Sequence, residues 1–483
     1  MPSIKTPILG SDYVVRSVNA ADARMINLFP EIVPEGGKEP AFLQRCPGLS
    51  FEGYVGTGPI RGLWAHQTNG ADFYVASGNE FYQVDGLNQT ARKLGNISGT
   101  GPVSIADNGT QLFIACGEKG YIYNESTDVF ARITDPDFKG AVTVCYLDGY
   151  FVYNPPNSQE IWITQLLDGT SIEPLDFASA EGAPDGVVGI INDHKELWIF
   201  GTDTTEVWYN AGGADFPLAP IQGAFNEVGC VAAFSIAKLD NSIFWLGTDP
   251  RGQGVVYRAD GYTAKRVSTH AVEWQIQQYG NMSDAVAYAY QQDGHTFYVL
   301  NFPSANRTWV YDASTGAWHE RAGWKNGQFT RHRSNCYCNF QGNAVVGDYE
   351  TGAIYTFDLE VYEDNDQPQK WLRRWRALPT GENNLNRSAQ HHLQLDIETG
   401  VGTNTGQGSD PEVMLRWSDD GGHTWSNEHW VKVGRIGQYG RRAIWRRLGM
   451  TEKIRDRVYE VSMTDPVKTT IMGAELFVTP TNA

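Results

Sequence analysis

Short stretches in which apolar and polar residues alternate recur along most of the chain, separated by turn-forming pairs. The pairs fall at Asn69-Gly70, Asn108-Gly109, Asp148-Gly149, Asp193-His194, Asp240-Asn241, Asp293-Gly294 and Gln341-Gly342. Asn-Gly and Asp-Gly suit two-residue hairpin turns, whose central residues need positive φ. Gln341-Gly342 and Asp193-His194 suit that geometry less well and are expected in longer loops. An apolar strand follows each turn, as in residues 72–77, 111–116 and 196–201. A second strand with an aromatic comes next, as in 80–86, 206–212 and 308–314. Most turns are also preceded by a strand, as in 102–107 and 187–192.

The turns advance by 39, 40, 45, 47, 53 and 48 residues. Units of this length, each with three or four antiparallel strands and repeated seven times, predict a β-propeller. A lone blade buries little and leaves its strand edges unpaired. Seven blades around an axis cover both faces of every sheet. A β-helix would repeat at shorter intervals, and a long sandwich would not hold the period.

After residue 370 no eighth unit follows. Alternation at 393–399, 413–418, 430–434, 457–463 and 474–480 predicts a separate, sandwich-like β domain. The polar run 363–369 reads as a linker. The first 45 residues carry no blade pattern and read as an arm, or as a partner of the C-terminal domain. The chain is thus expected to be all-β: an N-terminal arm over 1–45, a propeller over 46–365 and a C-terminal β domain over 366–483.

Composition fits this picture. Hydrophobic residues make up 41% of the 483 and aromatics 12%, enough for a large core and too much for disorder. The start lacks a signal-peptide pattern, and no apolar run approaches the ~18 residues of a membrane span, so no membrane anchor is expected. Cysteines 46, 116, 145, 230, 336 and 338 are scattered and read as reduced core fillers of a protein assembled in a cytoplasm. Cys336 and Cys338 would share one strand face, with no second Cys/His pair at zinc spacing. His391 and His392, adjacent on a strand, would point to opposite faces. No metal or cofactor is expected.

The net charge of −18 is uneven. Residues 1–369 hold 22 basic and 43 acidic side chains, a balance of −21, whereas 370–483 hold 16 and 13, a balance of +3. An acidic region of that size repels DNA, which excludes simple phosphate-backbone binding by the large part.

Two motifs carry candidate chemistry. Ser418, Asp420, Gly422, Thr424 and Trp425 form an Asp-box, S-x-D-x-G-x-[TS]-W, which recurs in sialidases. As a turn it needs no catalysis: the carboxylate accepts backbone N–H bonds, the glycine takes positive φ and the tryptophan packs beneath. A sialidase would repeat it in several blades and would add three clamping arginines. Here it stands once, outside the propeller. The blade arginines (61, 92, 132, 251, 258, 266, 307, 321, 331 and 333) show no recognisable triad. Hydrolase, metalloprotease and phosphate-loop motifs are also missing. A non-enzyme is expected, with a carbohydrate-binding propeller or a sialidase-like glycosidase as the alternative.

The second motif is a basic cluster, Arg441, Arg442, Arg446 and Arg447, around Trp445. On a strand, Arg442, Ile444, Arg446 and Leu448 would share one face and Arg441, Ala443, Trp445 and Arg447 the other. The cluster reads as a solvated edge strand or as an interface with another subunit or an adaptor.

Leu415 to Trp425, Gly434 to Gly440 and Trp445-Arg-Arg-Leu-Gly449 together resemble the phage packaged DNA stabilization protein family, the tail hubs or head-closure proteins of short-tailed phages. Arg455-Asp-Arg-Val-Tyr-Glu460, Ser462 and Asp465-Pro-Val-Lys468 continue the match. So do Arg24-Met-Ile-Asn-Leu-Phe-Pro-Glu31 and Cys46-Pro-Gly-Leu49 near the start. The resemblance implies a structural virion protein in the tail that closes the portal vertex, retains packaged DNA and forms part of the ejection conduit. It implies a homo-oligomeric ring, with a hexamer expected, below the portal and its adaptor ring. A tail needle or plug would bind at the far end and tailspikes at the side. Double-stranded DNA would pass through without sequence-specific binding, and an acidic wall would let it slide.

Overall fold

The computed structural model describes residues 3–17, 20–66, 70–87, 91–180, 182–213, 216–249, 252–379, 386–452 and 457–481. Asn69 of the first turn, Arg251 of the blade arginines, and Arg455 and Asp456 of the C-terminal motif lie outside them.

Seven antiparallel blades are arranged in chain order, beginning with Ile60–Ala65, Asp72–Ser77, Glu80–Asp85 and Ala91–Asn96. The alternation that marks each second strand explains how the blades pack. In the first blade, Phe73 and Val75 join the cluster shared with the last blade, and Tyr74 and Ala76 join that shared with the second blade. In the second blade, Leu112 and Ile114 face the first blade, and Phe113 and Ala115 face the third. Further clusters fill the remaining clefts between neighbouring blades. Every blade is therefore buried on two faces, as period-2 patterning requires.

The seventh blade is completed from far away in sequence. Its strands Ser334–Phe340, Asn343–Asp348 and Ala353–Asp358 are followed in the sheet by Gly48–Tyr54, with Phe357 opposite Leu49. This pairing closes the ring. Between blades five and six lies one α-helix, His270–Gln277, capped by the Thr269 hydroxyl, which accepts from the Val272 N–H.

The turns differ in detail from the pattern read in sequence. Asp148-Gly149, Asp240-Asn241 and Asp293-Gly294 are two-residue turns with positive φ at both positions. Gln341-Gly342 belongs with them, not with the longer loops: Phe340 pairs with Asn343, and φ is 50° and 82° at the turn. In the fourth blade Asp193 pairs with Glu196, so the tight turn is His194-Lys195. Asn108-Gly109 is the longer one, because the Asn108 carboxamide accepts from the N–H groups of Thr110 and Gln111 and widens it.

The residues after 370 form a sandwich, and the first 45 belong to it rather than forming an arm. One sheet runs Ala443–Arg446, Ser388–Ile397, Thr470–Pro480, Ala41–Arg45, Leu28–Ile32, with Ser3–Lys5 also on Thr470–Pro480. The facing sheet runs Met25–Ile26, Trp371–Arg376, Val458–Met463, Glu412–Ser418, His429–Lys432. Ile8, Met25, Leu28 and Leu43 pack in one core with Trp371, Leu393, Val461 and Leu476. These N-terminal strands are too short to show a period of their own.

The two parts share a sheet. The outer strand of blade six, Ala317–Glu320, pairs in parallel with Met25–Ile26, giving one nine-stranded sheet that runs from propeller into sandwich. The run 363–369 is not a loose linker. Glu363–Asp364 and Gln367–Pro368 form a hairpin, Asp364 aligns with Leu49, and Asp364 and Gln369 are buried. Its polarity serves internal hydrogen bonds: Arg45 Nε donates to Gln369 Oε1 at 3.1 Å, and Gln369 Nε2 donates to the Pro47 carbonyl at 3.1 Å.

Candidate functional site

Three places could carry function: the Asp-box turn, the basic edge and the axial tunnel of the propeller.

The Asp-box joins Glu412–Ser418 to His429–Lys432, in the sandwich. Asp420 Oδ1 accepts from the N–H groups of His423 (2.9 Å) and Thr424 (2.8 Å), and Oδ2 accepts from the Thr424 hydroxyl (2.6 Å). The Ser418 hydroxyl donates to Asp420 Oδ1 at 2.6 Å and accepts from the Gly422 N–H at 2.8 Å. Hydrogen bonds from Ser418 and Thr424 hold the Asp420 carboxyl well below the usual carboxylate range. Gly422 has φ 101°, and a Cβ there would meet Asp22 Oδ2 at 2.9 Å. Trp425 donates to the Gly422 carbonyl at 3.0 Å, and its ring lies under the guanidinium groups of Arg374 and Arg416. Every polar side chain of the motif is thus engaged within the turn. The preceding Asp419 has a different partner: Arg457 grips it through two hydrogen bonds of 2.7 and 2.8 Å.

The basic cluster lies on an edge strand, since Ala443–Arg446 pairs only with Ser388–Ile397 in its sheet. The expected alternation holds for Ala443 and Trp445, which point into the core, and for Ile444 and Arg446, which point outward. Trp445 therefore packs in the sandwich core of this chain. It is 4% exposed and donates to the His429 carbonyl at 2.7 Å. The alternation breaks at Arg447, whose φ of 61° ends the strand and turns Leu448 inward. Arg441, Arg442, Arg446 and Arg447 are all exposed. None of the four has an ion-pair partner among the described residues.

His391 and His392 do not diverge to opposite faces. A register shift between Gln390 and His392 bulges the strand, and both histidines line one groove of about 460 Å³ with Arg446, Arg447 and Met450. The six cysteines are free, and Cys336 and Cys338 share the cluster between blades seven and one. Burial pushes the Cys145 thiol up to about 12.

Sequence reasoning missed the axial tunnel, of about 820 Å³, which the innermost strands enclose. At its wall, His66 stands between Asp107 (3.5 Å) and Glu125 (2.9 Å), and hydrogen bonds to Asp107 and then Glu125 raise it to about 10. Trp64 Nε1 donates to Asp107 at 2.8 Å. Across the tunnel, Lys238 Nζ donates to Asn192 Oδ1 at 3.1 Å. Arg61 is the one arginine among the described lining residues, and three backbone carbonyls, of Gly78, Ser98 and Gly101, take up its donors. That leaves no three-arginine carboxylate clamp in this tunnel.

Two family models match the chain. One, described as bacteriophage P22 Gp10, beta-propeller, covers residues 4–362; the other, bacteriophage P22 Gp10, beta-sandwich, covers 370–479. No curated protein sequence matches. Among solved structures, the computationally designed Ika8 protein is similar at 14% identity, over 64% of this chain and 99% of that one, with a TM-score of 0.40. The N-terminal domain of Nup159 is similar at 9% identity, over 68% and 98%, with a TM-score of 0.41. A chain of the mitotic checkpoint complex is similar at 12% identity, over 68% and 97%, with a TM-score of 0.40.

Proposed function

The chain belongs to the bacteriophage P22 Gp10 family of phage structural proteins, and from that premise we propose that it is the tail hub of a short-tailed phage. In this role it closes the portal vertex, retains the packaged genome and forms part of the ejection conduit, without catalysis. It works as a ring, a hexamer in our reading, seated in the virion tail below the portal adaptor ring. The needle or plug binds at its far end and tailspikes at its side.

The observation that carries this reading is the coverage of both family models. They follow one another along the chain and flank the hairpin 363–368, where propeller passes into sandwich.

The physical character of the molecule supports it. A part that resists genome pressure needs few hinges. Here the propeller ring is closed by Gly48–Tyr54, and the nine-stranded sheet ties sandwich to blade six. Ion pairs centred on the buried Glu460 lie on that sheet: Glu460 accepts from Arg374 at 2.8 Å and from Arg416 at 2.5 Å. In this reading the conduit runs between the subunits of the ring. The balance of −21 over residues 1–369 suits a wall along which phosphates slide without sticking.

The test is assembly on DNA-filled heads that carry portal and adaptor but no tail. Purified chain should co-sediment with them as a ring at one vertex. Failure to bind such heads overturns the proposal.

A further inference from the structure

Propeller and sandwich each leave bare a patch that mixes charge with apolar surface, and the two patches are opposite in sign. On the sandwich, Arg441, Arg442, Arg446 and Arg447 crowd an open strand edge with no ion-pair partner among the described residues. Beside them Trp430, Ile436 and Tyr439 are 55%, 55% and 74% exposed. Exposed tryptophan and tyrosine next to arginine match the composition of binding hot spots.

The propeller patch is in the third blade. The turn after strand Glu160–Ile163 presents Leu166 and Leu167 at 58% and 60% exposure. Leu167 sits at φ 61°, a left-handed conformation that costs a leucine strain. Its N–H donates to the Gly149 carbonyl at 2.8 Å, which places the two leucines beside the exposed Asp148. The Asp148 carboxylate has no ion-pair partner among the described residues. The strained backbone holds two apolar side chains outward, more than half exposed among the described residues.

We infer that these patches are the two halves of one contact between successive copies of this chain: the basic edge of one copy seats on Leu166, Leu167 and Asp148 of the next. The inference deepens the ring part of the proposed function and rests on it. Charge complementarity selects a second copy as the occupant, because the domain that carries the arginines has a balance of +3 and the region that carries the leucines has −21. The two halves are different surfaces, so the contact is heterologous. A heterologous contact leaves a free half at each end and propagates until rotation closes a ring.

The test uses the 483-residue chain in size-exclusion chromatography with light scattering. One variant carries Arg441→Glu and Arg442→Glu. The other carries Leu166→Ser and Leu167→Gly, in which glycine relieves the strained φ, so its melting midpoint should not fall. Wild type should form closed rings that dissociate as salt rises. Each variant alone should be monomeric with an unchanged circular dichroism spectrum. An equimolar mixture should give 1:1 heterodimers and no rings, since each variant keeps the half that the other lacks. Wild-type-like rings from either variant, or a mixture that stays monomeric, overturn this contact and leave the hub reading intact. A wild-type chain that stays monomeric both alone and on tailless heads overturns contact and hub reading together.

Discussion

The Arg24 guanidinium closes on Glu320 through two hydrogen bonds, Nε to Oε1 at 2.7 Å and Nη2 to Oε2 at 3.1 Å. It thereby pins the N-terminal segment to the sixth blade across almost three hundred residues of sequence. Burial alone would push the Glu320 carboxyl up, but Arg24 above all, with Arg307, holds it below the usual carboxylate range. Removing Arg24 would leave the buried Glu320 carboxylate with Arg307 at 3.3 Å as its remaining ion-pair partner. Arg24→Ala should therefore cost less than the ~3–5 kcal/mol of a fully stranded buried charge, read as a lower unfolding midpoint in denaturant. A loss close to zero would show that the junction does not depend on this pair.

His295 makes a second link between the N-terminal strands and blade six. It contacts Asp312 at 2.8 Å and Glu31 at 2.5 Å, and the hydrogen bond to Asp312 leads the effects that raise it to about 9. A raised histidine stabilises fully below its unfolded value of about 6.5. That contribution is lost as pH rises through about 9. Wild type should lose thermal stability between these limits, and His295→Gln should lose much less over the same range. Parallel melting curves for the two proteins would contradict the assignment.

Asp420 behaves in the opposite sense. Its depressed carboxyl contributes stability above the unfolded value of about 3.9, and that contribution disappears as pH falls further. Asp420→Ala should loosen the turn, seen as faster proteolysis between Ser418 and Trp425 at neutral pH, with the rest of the fold intact. A cleavage pattern identical to wild type would remove the turn-staple role.

Removing residues 1–45 should not give a trimmed but folded protein. Ile8, Met25, Leu28 and Leu43 belong to the sandwich core, and Ala41–Arg45 covers an edge of Thr470–Pro480. The truncated chain should be insoluble or should expose apolar surface to a hydrophobic dye. A soluble product with native near-ultraviolet dichroism would contradict this arrangement.

Most of the propeller could be read in advance, because blades advertise themselves twice. Period-2 alternation sets Phe73 against Tyr74, and positive-φ turns such as Asp293-Gly294 demand particular residues. The sandwich was legible from its longer strands. Met25–Ile26 was not, since two residues carry no period and pairing with Trp371–Arg376 is decided by tertiary contact. Trp371–Arg376 itself was hidden by its arginines. Arg373 is 1% exposed, and its guanidinium donates to the Ile8 carbonyl at 2.6 Å, a burial that hydropathy does not foresee. In the candidate sites, the Asp-box followed from its own sequence because its bonds are local. Trp445 kept its expected alternation, on the face that the core covers, whereas the His391–His392 pair was misplaced because a bulge overrides simple alternation.

Genome retention tests the central claim most directly. DNA-filled heads with portal and adaptor but no tail should leak their DNA to added nuclease over time. Pre-incubation with this chain should protect the DNA, in proportion to the fraction of heads that carry a ring. Heads that bind the chain at the portal vertex yet lose DNA at the untreated rate would contradict its role as the closure of the packaged genome.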